Sequence, residues 1–260
     1  MQMMGERRGQ MLGGAAAMLL AQCFLAPPGF ACGGEALGES RVAAIENAQT
    51  LRLGDGRSVR LAGIEWDVPA DAARAALSEL AVGRTISLKG TAKPDRYGRI
   101  HAFAFVSGSE TPIQYALLDR GLAVVGTRLG DPACRRNLLV REQAARLSRL
   151  GIWGSGDYRL HRADDPATIL RDRGRFAIVQ GRVLSVRESG NTVYVNFGRR
   201  WSEDFTVTIA KRTEPAFISA GVPPRSLAGR TIRVRGVIEE RGGPWIEAAS
   251  ADQFDWDGQR

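Results

Sequence analysis

The chain has 260 residues, 44% hydrophobic and 25% charged, and outside one broken apolar run near its start it lacks a membrane-spanning stretch, which favours one or two globular domains. Its formal charge of +8 suits an anionic partner without naming it. Two histidines, His101 and His161, and three cysteines with no Cys-x-x-Cys spacing leave almost no material for a zinc site or a Ser-His-Asp triad, so metal chemistry here has to be oxygen-ligated.

The chain opens with Arg7 and Arg8, an apolar run over 11–25, Pro27-Pro28 and the small-x-small site Gly29-Phe30-Ala31. This order predicts a signal peptide over 1–31 and export to the periplasm or medium, against the alternative of a buried N-terminal helix. Cys32 at the cut permits a lipid anchor, but neither Gly29-Phe30-Ala31-Cys32 nor Leu20-Ala21-Gln22-Cys23 makes a good lipoprotein junction, so a soluble exported form is expected. Cleavage removes Arg7 and Arg8 against Glu6 and leaves +7. It also leaves Cys32 and Cys134, which an oxidising compartment lets form one long-range bridge or keep as separate thiols.

Residues 41–64 alternate apolar and polar, as in Val59-Arg60-Leu61, with Gly54-Asp55-Gly56 as a hairpin turn. Helical spacing follows over 71–81, then strands over 85–88 and 100–106, a helix over 113–120 closed by Gly121, and a longer one over 134–150 closed by Gly151. The short connections between the early strands disfavour parallel crossovers and predict an antiparallel barrel with attached helices. This first domain is set at 32–154.

Residues 155–174, with Gly156, Asp164-Asp165-Pro166 and Gly174, read as a linker. The domain 175–260 then turns almost wholly to strands, over 176–186, 192–197, 205–209, 231–238 and 245–248. Five short strands with a proline-rich interruption at 214–227 predict a second small β-barrel of OB type, with a sandwich as the competing fold. The fold class is thus mainly β, within α+β.

Four motifs in order, Val59-Arg60-Leu61-Ala62-Gly63-Ile64, Asp95-Arg96-Tyr97-Gly98-Arg99, Gly121-Leu122-Ala123-Val124, and Glu142-Gln143-Ala144-Ala145-Arg146 before Gly151-Ile152-Trp153, resemble the thermonuclease, or staphylococcal-nuclease-like, family over 41–153. The resemblance implies a five-stranded OB-type barrel with three helices. It also implies cleavage of DNA or RNA phosphodiesters, in which calcium and two arginines hold the charge of a five-coordinate phosphate while a glutamate handles the attacking water. Arginine fits that role because it stays protonated and offers a planar donor fork to phosphate oxygens. By position Arg60 and Arg99 match the pair, and Tyr97 matches the tyrosine that contacts a nucleotide phosphate, with Arg96 beside it.

The acids depart from the pattern. Gln49 stands where the family has a metal-ligating aspartate, an amide in place of a carboxylate, which lowers the expected affinity for a hard cation. Glu65 holds the second ligand position with one extra methylene and can still coordinate. Trp66 replaces a metal-binding threonine and reads as a packing residue or a base-stacking platform. Val68 falls where the general base belongs, and a short insertion would leave Asp67 or Asp71 as substitutes, although Asp71 also reads as a helix N-cap. Glu142, Arg146 and His101 read as structural. Arg199, Arg200 and Trp201 form either a strand-binding rim or a solvated turn. The functional expectation is an exported thermonuclease-family protein of weak or degenerate activity, and the alternative is a module that keeps the barrel and binds nucleic acid or protein without cutting.

Overall fold

The computed structural model describes residues 1, 32–66, 71–155, 158, 160–200 and 202–256; the expected leader, the alternative base Asp67, Val68 and Trp201 lie outside them. The first half runs β1 (Glu35–Asn47), β2 (Thr50–Leu53), β3 (Ser58–Leu61), β4 (Ile64–Glu65), α1 (Asp71–Ala81), β5 (Thr85–Thr91), β6 (Arg99–Val106), α2 (Ile113–Asp119), β7 (Val124–Val125), α3 (Pro132–Leu147) and α4 (Ile152–Ser155). Five strands close into a barrel in the order β1-β2-β3-β6-β5. Alternation explains the closure: Leu51, Leu53, Val59, Leu61, Ile86, Leu88 and Ile100 point into one core, each contributing about 2 kcal/mol of apolar burial, while the intervening polar residues face out.

One contact is parallel. β3 runs alongside β6 with Ser58 opposite Arg99 and Arg60 opposite His101, whereas every other pair in the barrel is antiparallel. The α1 helix places Ala73, Ala76, Leu77 and Ala81 against the barrel side. The longer α3 begins two residues before its expected start, because Asp131 caps it by accepting from the Ala133 and Cys134 amides at 2.7 and 2.9 Å and Pro132 supplies a preformed first turn. It ends at Leu147 rather than running on to 150, with Arg149 at φ 52° breaking the helix. Cys32, just before β1, and Cys134 on α3 are bonded through their sulfurs, with Cα atoms 4.4 Å apart.

The second half comprises β8 (His161–Arg162), α5 (Pro166–Leu170), β9 (Phe176–Arg182), β10 (Ser185–Ser189), β11 (Thr192–Asn196), β12 (Thr206–Ala210), α6 (Glu214–Ser219), β13 (Thr231–Val237), β14 (Glu239–Arg241), β15 (Gly243–Ala248) and β16 (Phe254–Asp255). Its strands form a five-stranded sheet, β10-β11-β12-β15-β14, and a four-stranded sheet, β16-β13-β9-β8. Val193, Val195, Val207, Ile209 and Ile246 of the first meet Val179, Ile232, Val234 and Phe254 of the second in one core.

Hydrogen bonding among the described residues gives this half two facing sheets in place of one five-stranded ring. The single strand expected over 176–186 divides because Val183 and Leu184 hand the chain between sheets: the Val183 amide donates to Arg230 and the Leu184 amide to Asn196. The stretch expected as a linker also takes part, since His161 pairs with Val179 in parallel and Ile169 is fully buried in the second core.

The halves are packed on each other. Val124 and Ile152 of the first half, Tyr158 and Ile178 form a shared apolar cluster against which Trp66, Trp153 and Phe176 pack. Beside it the Leu129 amide donates to Asp252 at 2.8 Å, and Arg135 reaches the Phe254 carbonyl. Glu142 is 2% exposed; it accepts from the Val125 amide at 2.6 Å and pairs with Arg235. Among the described residues no helix is long and apolar enough to cross a membrane.

Candidate active site

Burial alternates along β3 and the first four residues of β6: Val59, Leu61, Ile100 and Ala102 are buried, while Ser58, Arg60, Arg99 and His101 are partly exposed. The parallel register puts the four exposed residues in one patch on the outer face of two neighbouring strands, with Arg60 and Arg99 one diagonal step apart. The two guanidinium groups the sequence singled out therefore share a surface.

Each is oriented by a carboxylate. Arg60 Nη2 donates to Glu65 Oε2 at 2.7 Å, and Gln49 Nε2 donates to the same oxygen at 3.3 Å. Glu65 reaches this position because the chain reverses at Gly63, whose φ of 78° and 2.8 Å clearance from an added Cβ to the Phe103 ring leave no room for a side chain. The short β4–β7 pairing, Glu65 opposite Val124, then fixes it.

Asp95 organises the other arginine. Its Oδ1 accepts from the Tyr97 amide at 2.9 Å and the Arg99 amide at 3.0 Å, closing the turn in which Gly98 sits at φ 75°. Its Oδ2 accepts from Arg99 Nε at 3.0 Å and Nη2 at 2.8 Å and lies 3.2 Å from His101 Nε2. The Arg99 guanidinium above all, joined by the turn amides and His101, holds the Asp95 carboxyl far below the usual carboxylate range against the opposing effect of desolvation. Tyr97 is 64% exposed, with the Arg96 and Arg99 guanidinium carbons 4.7 and 4.9 Å from its ring centre. It forms an exposed aromatic plate beside two cations.

The remaining sequence candidates separate. Asp71 is exposed and is the first residue of α1 itself; no hydrogen bond or ion pair joins it to Arg60, Arg99 or Glu65 among the described residues. Trp66 is half-buried and packs against both the barrel core and the cluster between the halves. Glu142 belongs to the contact between halves. From the sequence Asp95 has no role beyond its place in the turn motif, and His101 reads as structural. Asp95 stands four residues before Arg99 in a turn sequence, and His101 stands two after it, which alternation places on the same face.

The donor set for a calcium ion is thin. Of the two ligand positions Gln49 presents its amide N–H toward Glu65, and Glu65 Oε2 is already engaged by Arg60. No group of three or more His, Cys, Asp or Glu side chains suited to a metal occurs among the described residues. A cation that wants six to eight oxygens, mostly anionic, is not fitted by one committed carboxylate and one inward-turned amide.

Comparison with known proteins places residues 68–155 in a match to the family model described as staphylococcal nuclease homologue. The match spans Asp71, Arg96, Tyr97 and Arg99, and begins after Gln49, Arg60 and Glu65. No curated protein matches the chain.

Proposed function

We propose, from the premise that residues 68–155 make the first domain a staphylococcal nuclease homologue, that the chain is an exported thermonuclease-family protein that grips nucleic-acid phosphodiesters with Arg60 and Arg99 and cleaves them slowly. One observation carries this reading: the β3–β6 register sets both guanidinium groups on a single outer face. Two fixed, permanently charged forks there present donors to the non-bridging oxygens of one phosphate, and their charge gains most when the phosphate becomes more anionic in the transition state. Tyr97, exposed beside them, offers its hydroxyl and ring to a neighbouring nucleotide. The slow rate follows from the acids. Glu65 is neutralised by Arg60, and the proton-accepting role falls to Asp71 or Asp67 in place of a glutamate.

A second reading is favoured by the Gln49–Glu65 contact. With Glu65 and Asp95 both paired to its arginines and an amide at Gln49, the same face binds nucleic acid without cutting it. One assay separates the two: the purified chain is incubated with single-stranded DNA or RNA, with calcium or with chelator, beside Arg60→Ala and Arg99→Ala. Cleavage that drops by about 10² or more in each variant supports the enzyme. Absence of cleavage at high protein concentration, with binding that weakens steeply in salt and in both variants, supports binding alone.

A further inference from the structure

The outward face of the five-stranded sheet holds a cleft of about 940 Å³, far from the β3–β6 patch in sequence and built on different strands. Register explains it. Ser185, Asn196, Thr206, Trp245 and Glu239 form one row across β10, β11, β12, β15 and β14, and Arg187 lies opposite Tyr194 in the next row. The row spans about 19 Å at the usual strand spacing. Thr206 and Trp245, 1% and 8% exposed, form its floor. Tyr194 is half-buried and meets Trp245 edge to face, with ring centres 6.1 Å apart.

The charges of this cleft are unbalanced in one direction. Arg241 is occupied, since it lies 5.1 Å from the Trp245 ring centre and is paired with Glu239 and Glu247. The carboxylate in the lining, Glu188, is likewise committed to Lys211 at 2.8 Å and Arg225 at 2.6 Å. Arg187 and Arg199 are exposed in the lining and have no partner among the described residues. Trp245 Nε1 is buried and has no hydrogen-bond partner among the described residues, a group that a ligand acceptor would satisfy.

We propose that this cleft is a binding site for single-stranded nucleic acid, separate from the Arg60–Arg99 face. Two uncompensated arginines match the phosphates, the Tyr194 ring and the exposed Leu184 side chain supply apolar surface for a base, and Asn196 and Ser185 supply polar groups for a base edge. A neutral oligosaccharide would use the ring and leave both arginines idle. An acidic peptide would use the arginines and leave the aromatic floor without a planar partner. The site does not require the first domain to cut, so it stands or falls independently of hydrolysis.

The test uses the full chain carrying Arg60→Ala and Arg99→Ala, which removes the first face, and follows the anisotropy of a short fluorescein-labelled oligothymidylate in chelator. This background protein is expected to bind. Adding Arg187→Gln and Arg199→Gln should weaken binding at least tenfold and reduce the slope of log K against log salt by about 1.4, the value for two lost contacts to a single strand. Both arginines are exposed and have no partner among the described residues, so their replacement leaves the fold in place. Tyr194→Leu should weaken binding about tenfold with the salt slope unchanged, as expected for lost stacking. The proposal is overturned if the background protein fails to bind, if the arginine variant binds as tightly as its parent, or if a polyglutamate peptide or a neutral oligosaccharide displaces the oligonucleotide at equal concentration.

Discussion

Arg235 of β13 reaches from the second half of the molecule to Glu142 of α3 in the first, donating from Nη1 at 3.0 Å and from Nη2 at 3.2 Å. With relative exposures of 0% and 2%, the pair is out of water. Arg235 Nη1 also donates to the Val125 carbonyl at 2.9 Å and Nη2 to Asp255 at 2.7 Å, so one guanidinium ties α3, β7, β13 and β16 together. A buried pair of this kind adds little net stability over an apolar substitute, but removing one partner strands the other. Glu142→Ala is therefore expected to lower stability by about 3–5 kcal/mol. Because the lost contact joins the two halves, urea unfolding should change from one transition to two. A single transition at the parent's midpoint would show that the pair does not couple the halves.

The same network sets an acid limit. Burial raises the Asp255 pKa, but Arg235 and Arg233 outweigh it and hold the carboxyl below its ordinary value. A carboxyl that is more acidic in the folded protein contributes its full stabilisation above the unfolded value, about 3.9. That contribution is lost as pH falls through the depressed folded value. Asp55, lowered to about 2 by Arg57, acts in the same direction from the barrel surface. Stability should hold from neutral pH to about pH 4 and fall steeply below it. Asp255→Asn should flatten that fall and cost stability at neutral pH. Unfolding free energies measured for both proteins across the acid range decide it; parallel curves would rule out Asp255 as a contributor.

The bond between Cys32 and Cys134 closes a loop with a sequence separation of 102 and ties the start of β1 to a buried position on α3. Constraining so long a segment of the unfolded chain is worth about 2–4 kcal/mol. The double variant Cys32→Ser, Cys134→Ser should be less stable by that amount, and reduction of the parent should reproduce the loss. Thiol titration of the unreduced, denatured protein made in an oxidising compartment should find neither Cys32 nor Cys134 free, and two free thiols would refute the bond.

The barrel was legible where its strands bury one face and leave the other partly exposed, as β3 and the start of β6 do. Val59-Arg60-Leu61 and Ile100-His101-Ala102 alternate strictly, and such alternation survives in sequence. The pairing of β3 with β6 was not legible, since the parallel register that unites Arg60 with Arg99 depends on which strands meet and leaves no local trace. In the second half, the division of 176–186 into two strands turns on Val183 and Leu184 changing partners, a tertiary choice that apolar runs do not encode. His161 and Ile169 lay in a stretch whose Asp-Pro and Gly content looked like a linker, yet one paired strand residue and one buried isoleucine anchor it to the second core. At the candidate site the arginines stood out by motif. The parts of Asp95, which stands in the same motif, and of His101 did not show, because Asp95 orients Arg99 and is shared with His101 only once the turn has folded.

Gln49 offers a test by restoration. It is 6% exposed, and its Nε2 donates to Glu65 Oε2 at 3.3 Å, so Gln49→Asp exchanges a hydrogen bond for two facing carboxylates. Without metal, the repulsion should cost on the order of 1 kcal/mol, partly relieved by Arg60. With calcium the sign reverses, because two anionic oxygens close together are what a hard cation seeks. Saturating calcium at 100 times its dissociation constant would then stabilise the variant by about 2.7 kcal/mol, while the parent should melt at nearly the same temperature with or without calcium. Any cleavage of single-stranded DNA should rise about tenfold or more in the variant and acquire a calcium requirement. Thermal melts with calcium and with chelator read the first effect independently of activity. A parent that calcium stabilises as strongly as the variant would mean that Gln49 and Glu65, or oxygens beyond them, already hold the ion.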